Sequence, residues 1–161
     1  MRIFDVIVAF ALVLAIGFVA EWMLRKDVVA GPATVIDGDT LRLDGQRIRL
    51  TGMDAPELAQ TCMRDGQSWP CGATARFALV ELVQRGDVFC AGSGADAYGR
   101  MLARCTVDGV DIAEELVRQG LALADGRYGT AEAEARAARR GLWAGRFERP
   151  RDYRAAHPRP D

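Results

Sequence analysis

Before Arg25-Lys26 the chain is almost wholly apolar. After it, short alternating runs are cut by Gly and Asp every few residues. No charge or proline interrupts residues 6–20, and Trp22-Met23-Leu24 extends the run past Glu21. A helix over 6–24 would be roughly 28 Å long at 1.5 Å per residue, close to the ~30 Å hydrocarbon core of a bilayer. Trp22 near one end suits an interfacial anchor. Residues 1–27 are therefore expected to be a membrane anchor that contacts the bilayer through residues 6–24. The alternative is a cleaved signal segment, with Arg2 as its basic start and Val28-Val29-Ala30 as a small-x-Ala site. Ala30 lies well beyond the apolar run, which speaks against cleavage.

What remains is about 120 residues plus an Arg/Pro-rich end, enough for one domain with its own core. We set the domain at 28–149 and a disordered tail at 150–161. Residues 28–36 lean towards strand and stop at Asp37-Gly38. Thr40 to Leu43 alternates apolar and polar, Asp44-Gly45 signals a hairpin turn, and Arg47-Ile48-Arg49-Leu50 resumes the alternation. Residues 73–84 form a helical pattern with Ala75, Leu79, Leu82 and Val83 on one face and Gly86 beyond its end. Two strands follow, around a Gly-rich turn. Asp111-Ile112-Ala113-Glu114 has capping-box spacing for a second helix ending at Gln119-Gly120. A third covers 131–140. Strands, helix, two strands, helix, helix indicate an α+β fold with a small antiparallel barrel.

The net charge of −1 gives no global attraction to a polyanion, so any nucleic-acid contact must be a local site. The four cysteines make no C-x-x-C pair and have no neighbouring histidine, which argues against zinc. An even number behind a membrane-targeting segment favours disulfides in an exported domain. Of the three pairings, Cys62 with Cys71 and Cys90 with Cys105 is the most economical.

Asp39, Arg49, Asp54, Glu57 and Arg100 carry the chemistry. On short strands and turns, carboxylates can hold a hard cation, a further carboxylate can polarise water, and two guanidinium forks can hold a phosphate. The only histidine, His157, lies in the polar end and is not the base. Asp39 and Asp54 are expected to end strands that one hairpin sets side by side, with Glu57 following in a Pro-containing turn.

The chain resembles the thermonuclease, or staphylococcal-nuclease-like, family over about residues 31–145. The carrying motifs are Val35-Ile36-Asp37-Gly38-Asp39-Thr40, Arg47-Ile48-Arg49-Leu50 with Asp54-Ala55-Pro56-Glu57, and Asp96-Ala97-Tyr98-Gly99-Arg100. Leu116-Val117-Arg118-Gln119-Gly120 and Arg140-Gly141-Leu142-Trp143 complete them. The resemblance implies a five-stranded OB barrel with three helices, here behind an N-terminal hydrophobic helix. It also implies a Ca²⁺-dependent nuclease acting on DNA and RNA and leaving 3′-phosphates; the protein is expected to be a monomer.

By position, Asp39, Asp54 and the Ala55 carbonyl would ligate Ca²⁺, supported by Asp37 and Thr40. Glu57 would be the general base, Arg49 and Arg100 would bind phosphate, and Tyr98 would contact substrate. Three positions depart from the pattern: Ala55 replaces a threonine, Ala97 a basic residue, and Gly126 a nucleotide-contacting tyrosine, although Tyr128 is close. The alternative function is an OB-fold binding module with weak catalysis at the cell envelope. The expected location is the bacterial inner membrane, single-pass, with the domain outside the cytoplasm, or the periplasm after cleavage.

Overall fold

The computed structural model describes residues 3–24 and 27–158. Its first element is helix α1, Ile3–Leu24. The apolar side chains from Val6 to Val19 on this helix are exposed, Phe18 by 74%. Among the described residues no helix is long and apolar enough to cross a membrane. The Trp22 side chain, Arg2 and Arg25-Lys26, on which the anchor and signal readings depend, lie outside the described part.

The stretch expected as one strand is two, β1 (Asp27–Gly31) and β2 (Ala33–Val35), divided at Pro32. Proline has no N–H for a ladder, so a bend there is its natural place. The hairpin of β3 (Thr40–Leu43) and β4 (Gln46–Leu50) turns at Asp44 and Gly45, both at positive φ, as a tight two-residue loop requires. A short strand, β5 (Met53–Asp54), follows. A small hairpin, β6 (Cys62–Arg64) and β7 (Gln67–Trp69), then leads into α2 (Cys71–Val83). Strands β8 (Val88–Ala95) and β9 (Met101–Val107) follow, then β10 (Val110–Asp111) and α3 (Ile112–Arg118). The described chain ends with β11 (Leu123–Ala124), α4 (Gly129–Ala137), a 3-10 turn (Gly141–Ala144) and α5 (Pro150–Ala156).

The main sheet runs β1-β8-β9-β4-β3-β2, with β10 attached to β9. Its two ends, β1 and β2, are consecutive halves of one segment, so the path starts and finishes on the same stretch of chain and the sheet curls round. All pairings in it are antiparallel except β4 with β9. The inner face buries Leu41, Leu43, Ile48, Leu50, Met101 and Val107; Leu79 and Leu82 of α2 and Ile112 and Leu116 of α3 join the same core. Truncating a buried leucine such as Leu116 to alanine would cost about 2–5 kcal/mol. Asp111 caps α3, accepting from the backbone N–H of Ala113 at 3.0 Å and Glu114 at 3.2 Å. The reciprocal half of the capping box is not made, because Glu114 pairs with Arg118 at 2.6 Å.

Three expectations change. Five α-helices stand among the described residues, where three behind an N-terminal hydrophobic helix were expected. Residues 150–156 are helical where a disordered tail was expected: Pro150 sits at the first turn, where its missing N–H costs nothing, and is buried. Asp54 does not end a strand of the β3–β4 hairpin. It lies on β5, paired with Leu123 of β11 in a separate two-stranded sheet. The cysteines pair as Cys62–Cys71 and Cys90–Cys105, the latter directly opposite each other on β8 and β9.

Candidate active site

The turn Asp37-Gly38-Asp39 delivers the first carboxylate. Asp37 Oδ1 accepts from the Asp39 backbone N–H at 3.1 Å and fixes the turn. Gly38 has no side-chain alternative: a Cβ there would lie 2.9 Å from the Ala55 Cβ and 3.3 Å from that of Ala75. The turn therefore packs directly on the Asp54-Ala55 segment and on α2. Asp39 is buried, and Thr40 Oγ1 donates to its Oδ1 at 2.8 Å.

The β3–β4 register sets Thr40 opposite Arg49. The Arg49 guanidinium thereby spans both carboxylates: Nη1 donates to Asp39 Oδ2, and Nη2 to Asp54 Oδ1 at 3.3 Å. The parallel pairing of β4 with β9 brings Arg100, just before β9, to the same end of the sheet. Its Nη1 donates to Thr40 Oγ1 at 3.1 Å and lies 4.0 Å from Asp39 Oδ1. Asp96 holds Arg100 in place, bonding its Nε at 2.7 Å and its backbone N–H at 2.9 Å. Slight burial opposes ionisation of Asp96, but the donors from Arg100 and Tyr98 outweigh it and hold its carboxyl below the usual range. Tyr98 stands at the tip of the β8–β9 turn, 74% exposed, with Arg100 5.6 Å from its ring centre. Tyr128 commits its hydroxyl to Asp111 at 2.9 Å.

Burial pushes the Asp39 carboxyl up to about 6, against the pull of Arg49 and with the help of Asp37. Arg49 offsets only part of the cost of burying this charge, so a cation bound here would favour the carboxylate form.

Glu57 lies at the end of the Pro56 turn, half-buried. Gln60, itself fully buried, ties this turn down: its Oε1 accepts from the Glu57 N–H at 3.2 Å, and its own N–H donates to the Glu57 carbonyl at 2.8 Å. The first turn of α2 presses on the same place, since a Cβ at Gly72 would fall 1.7 Å from the Glu57 carbonyl oxygen.

Two residues here were not foreseen. One is Gln60. The other is Arg154 of α5, whose Nη1 and Nη2 take Asp54 Oδ1 and Oδ2 at 3.0 and 3.1 Å, while Nη1 reaches Glu57 Oε1 at 3.2 Å. Nothing near Arg154 in sequence points to this, because its partner is one hundred residues away.

Asp39 and Asp54 lie within the breadth of one guanidinium and offer hard oxygen donors, which suits Ca²⁺ better than a soft metal. Among the described residues no three His, Cys, Asp or Glu side chains converge as a metal cluster. A cation here would therefore rest on two carboxylates, with Ala55, buried beside them, and water completing its shell.

Residues 47–145 match the family model described as staphylococcal nuclease homologue. The chain belongs to that family. Its α+β, OB-like fold is the family's. Arg49, Asp54, Ala55, Glu57, Tyr98 and Arg100 fall inside the matched stretch; Asp37, Asp39, Thr40 and Arg154 fall outside it. The chain is 33% identical over 123 residues to a succinoglycan biosynthesis protein, ExoI, of Rhizobium meliloti, covering 71% of this chain and 64% of that one. It is 32% identical over 124 residues to a probable staphylococcal-like nuclease, CAN1, of rice, covering 73% of this chain and 35% of the relative. An endonuclease, YncB, of Bacillus subtilis is 35% identical over 96 residues, 54% of this chain and 43% of its own length. The chain thus spans less than two thirds of each of these relatives.

Proposed function

We propose that this family member is a Ca²⁺-dependent nuclease that hydrolyses phosphodiester bonds of DNA and RNA with little sequence preference, leaving 3′-phosphate ends. The observation that supports it most is the double reach of Arg49 to Asp39 and Asp54, with Arg100 close to Asp39. Held by Asp39, Asp54 and the Ala55 carbonyl, Ca²⁺ would supply fixed positive charge against a phosphate gaining negative charge. Asp37 and Thr40 keep Asp39 oriented. Arg49 and Arg100 turn their forks to the non-bridging oxygens, Arg100 favouring the leaving 5′-oxygen. Glu57 takes a proton from the attacking water as its oxygen bonds to phosphorus and the P–O5′ bond breaks; the departing O5′ takes a proton from solvent and leaves as a 5′-hydroxyl, and the phosphate stays on the 3′ side. Tyr98, exposed beside Arg100, offers a face on which a base can stack.

Digestion of single-stranded DNA and RNA by the full chain in detergent, with Ca²⁺ and with chelator, tests the reading. Cleavage should require Ca²⁺, and Glu57→Gln should lower turnover ~10²–10⁴-fold while Ca²⁺ binding persists. Turnover within about threefold of wild type would remove Glu57 from the role of general base. Oligonucleotide binding without cleavage by the wild-type chain would favour the alternative, a binding module.

The proposal includes export with an uncleaved N-terminal segment reaching the inner membrane. Two disulfides suit an oxidising compartment. Cleavage after Ala30 would cut through β1, which pairs with β8 from Asp27 to Gly31. Protease added outside the inner membrane should digest the domain; digestion only after that membrane is opened would refute the topology.

A further inference from the structure

Helix α5 begins beyond the stretch that matches the family model, yet it delivers a guanidinium to the site. Arg154 holds both oxygens of Asp54 in a planar fork, the strongest arrangement a guanidinium makes with a carboxylate. Arg49 adds a further bond to Asp54 Oδ1, and Arg154 also touches Glu57 Oε1. Each oxygen of Asp54 is therefore already engaged by positive charge.

The helix is fastened to the turn that presents Glu57. Gln60 Nε2 donates to the Glu148 carbonyl at 2.8 Å, and the same Gln60 side chain accepts from the Glu57 N–H. Met63 and Arg146 exchange backbone hydrogen bonds at 2.8 and 2.9 Å, and Pro150 is buried. Arg154 is thus held where its fork meets Asp54 and cannot diffuse away.

We propose that Arg154 is a tethered counter-cation that competes with the divalent metal for Asp54, so that metal loading requires its fork to swing off this carboxylate. The proposal rests on Asp54 being a metal ligand. A hard cation draws on the same carboxylate lone pairs that Arg154 occupies, and two positive groups on one carboxylate repel each other. A tethered competitor acts at a high effective concentration, which matters most for a site with only two carboxylates.

Calorimetric titration of the full chain in detergent with CaCl₂ tests this. Arg154→Ala should bind Ca²⁺ about 3- to 30-fold more tightly than wild type, the range expected for losing one charge-assisted fork. Arg154→Lys, which keeps the charge but not the fork, should lie between them. Arg151→Ala removes the same charge from an exposed position on the same helix and should stay within about twofold of wild type. Equal or weaker Ca²⁺ binding by Arg154→Ala, with Asp54→Ala abolishing binding, would overturn the competition and leave the metal assignment standing. Equal tightening by Arg151→Ala would show that net charge is responsible and would also overturn it. No Ca²⁺ binding by wild type or Arg154→Ala would overturn the metal assignment, and this proposal with it.

Discussion

Asp39 is asked to be buried and to be ionised. Burial raises its carboxyl to about 6, while Arg49 and the Thr40 hydroxyl favour the charged form. A cation can use only the carboxylate. Above about 6 the ligand is ready; below it, Ca²⁺ must displace a proton. Apparent Ca²⁺ affinity should therefore fall as pH drops from about 7 to about 5, approaching tenfold per unit at the lower end, with close to one proton released per ion. Titrations in two buffers of different ionisation enthalpy would count that proton; an affinity independent of pH over this range would remove Asp39 from the metal shell. At this scale the sequence was legible where partners are near. Asp39, Arg49 and Asp54 lie close together along the chain, and one hairpin register brings the first two into contact. Arg154 and Gln60 were not legible, because each acts on a partner fixed only by the tertiary fold: Asp54 for Arg154, the Glu148 carbonyl for Gln60.

Among elements, local signals carried what they could. Asp44-Gly45 marked its hairpin, and Asp65-Gly66 carries the same signal, with both residues at positive φ between β6 and β7. That second hairpin is hard to read locally because its strands are three residues long, too short to show an alternation. Helix α5 also has its marks, Pro150 at the start, Asp152 in the first turn and Arg154 in the last, but they sit in an arginine-rich stretch that reads as solvated chain. The link from α5 to the site runs through Gln60. Gln60→Ala should leave the Glu57 N–H and the Glu148 carbonyl without this partner and destabilise the protein by about 1–3 kcal/mol. Limited proteolysis should then cut beyond Phe147 faster than in wild type. Unchanged stability and cutting would show that α5 is held by other contacts.

For the molecule as a whole, the α+β class could be read from the order of elements, but the route of the sheet could not. Pairing β1 with β8 and β4 with β9 joins residues far apart in sequence, and no local pattern encodes such partners. The two disulfides span the two regions that frame the site. Cys62–Cys71 closes the loop leading into α2, and Cys90–Cys105 clamps β8 to β9. Reduction should lower stability by about 2–4 kcal/mol for each bridge lost. Denaturant unfolding with and without reductant would measure it, and coincident curves would show the bridges to be dispensable.

The bent segment formed by β1 and β2 is the seam of the curled sheet, and it sets an order of events during synthesis. A chain emerging from its N-terminus offers this seam before the other strands of the sheet, yet the far partner of β1 does not begin until Val88. The β3–β4 hairpin can zip at once, because its strands are joined by two residues, and β2 can dock on β3 soon after. Joining β1 to β8 means closing a long loop, which is entropically costly and slow. The first strand residues to leave the ribosome are thus among the last to find their neighbour, and until then they wait as an open edge.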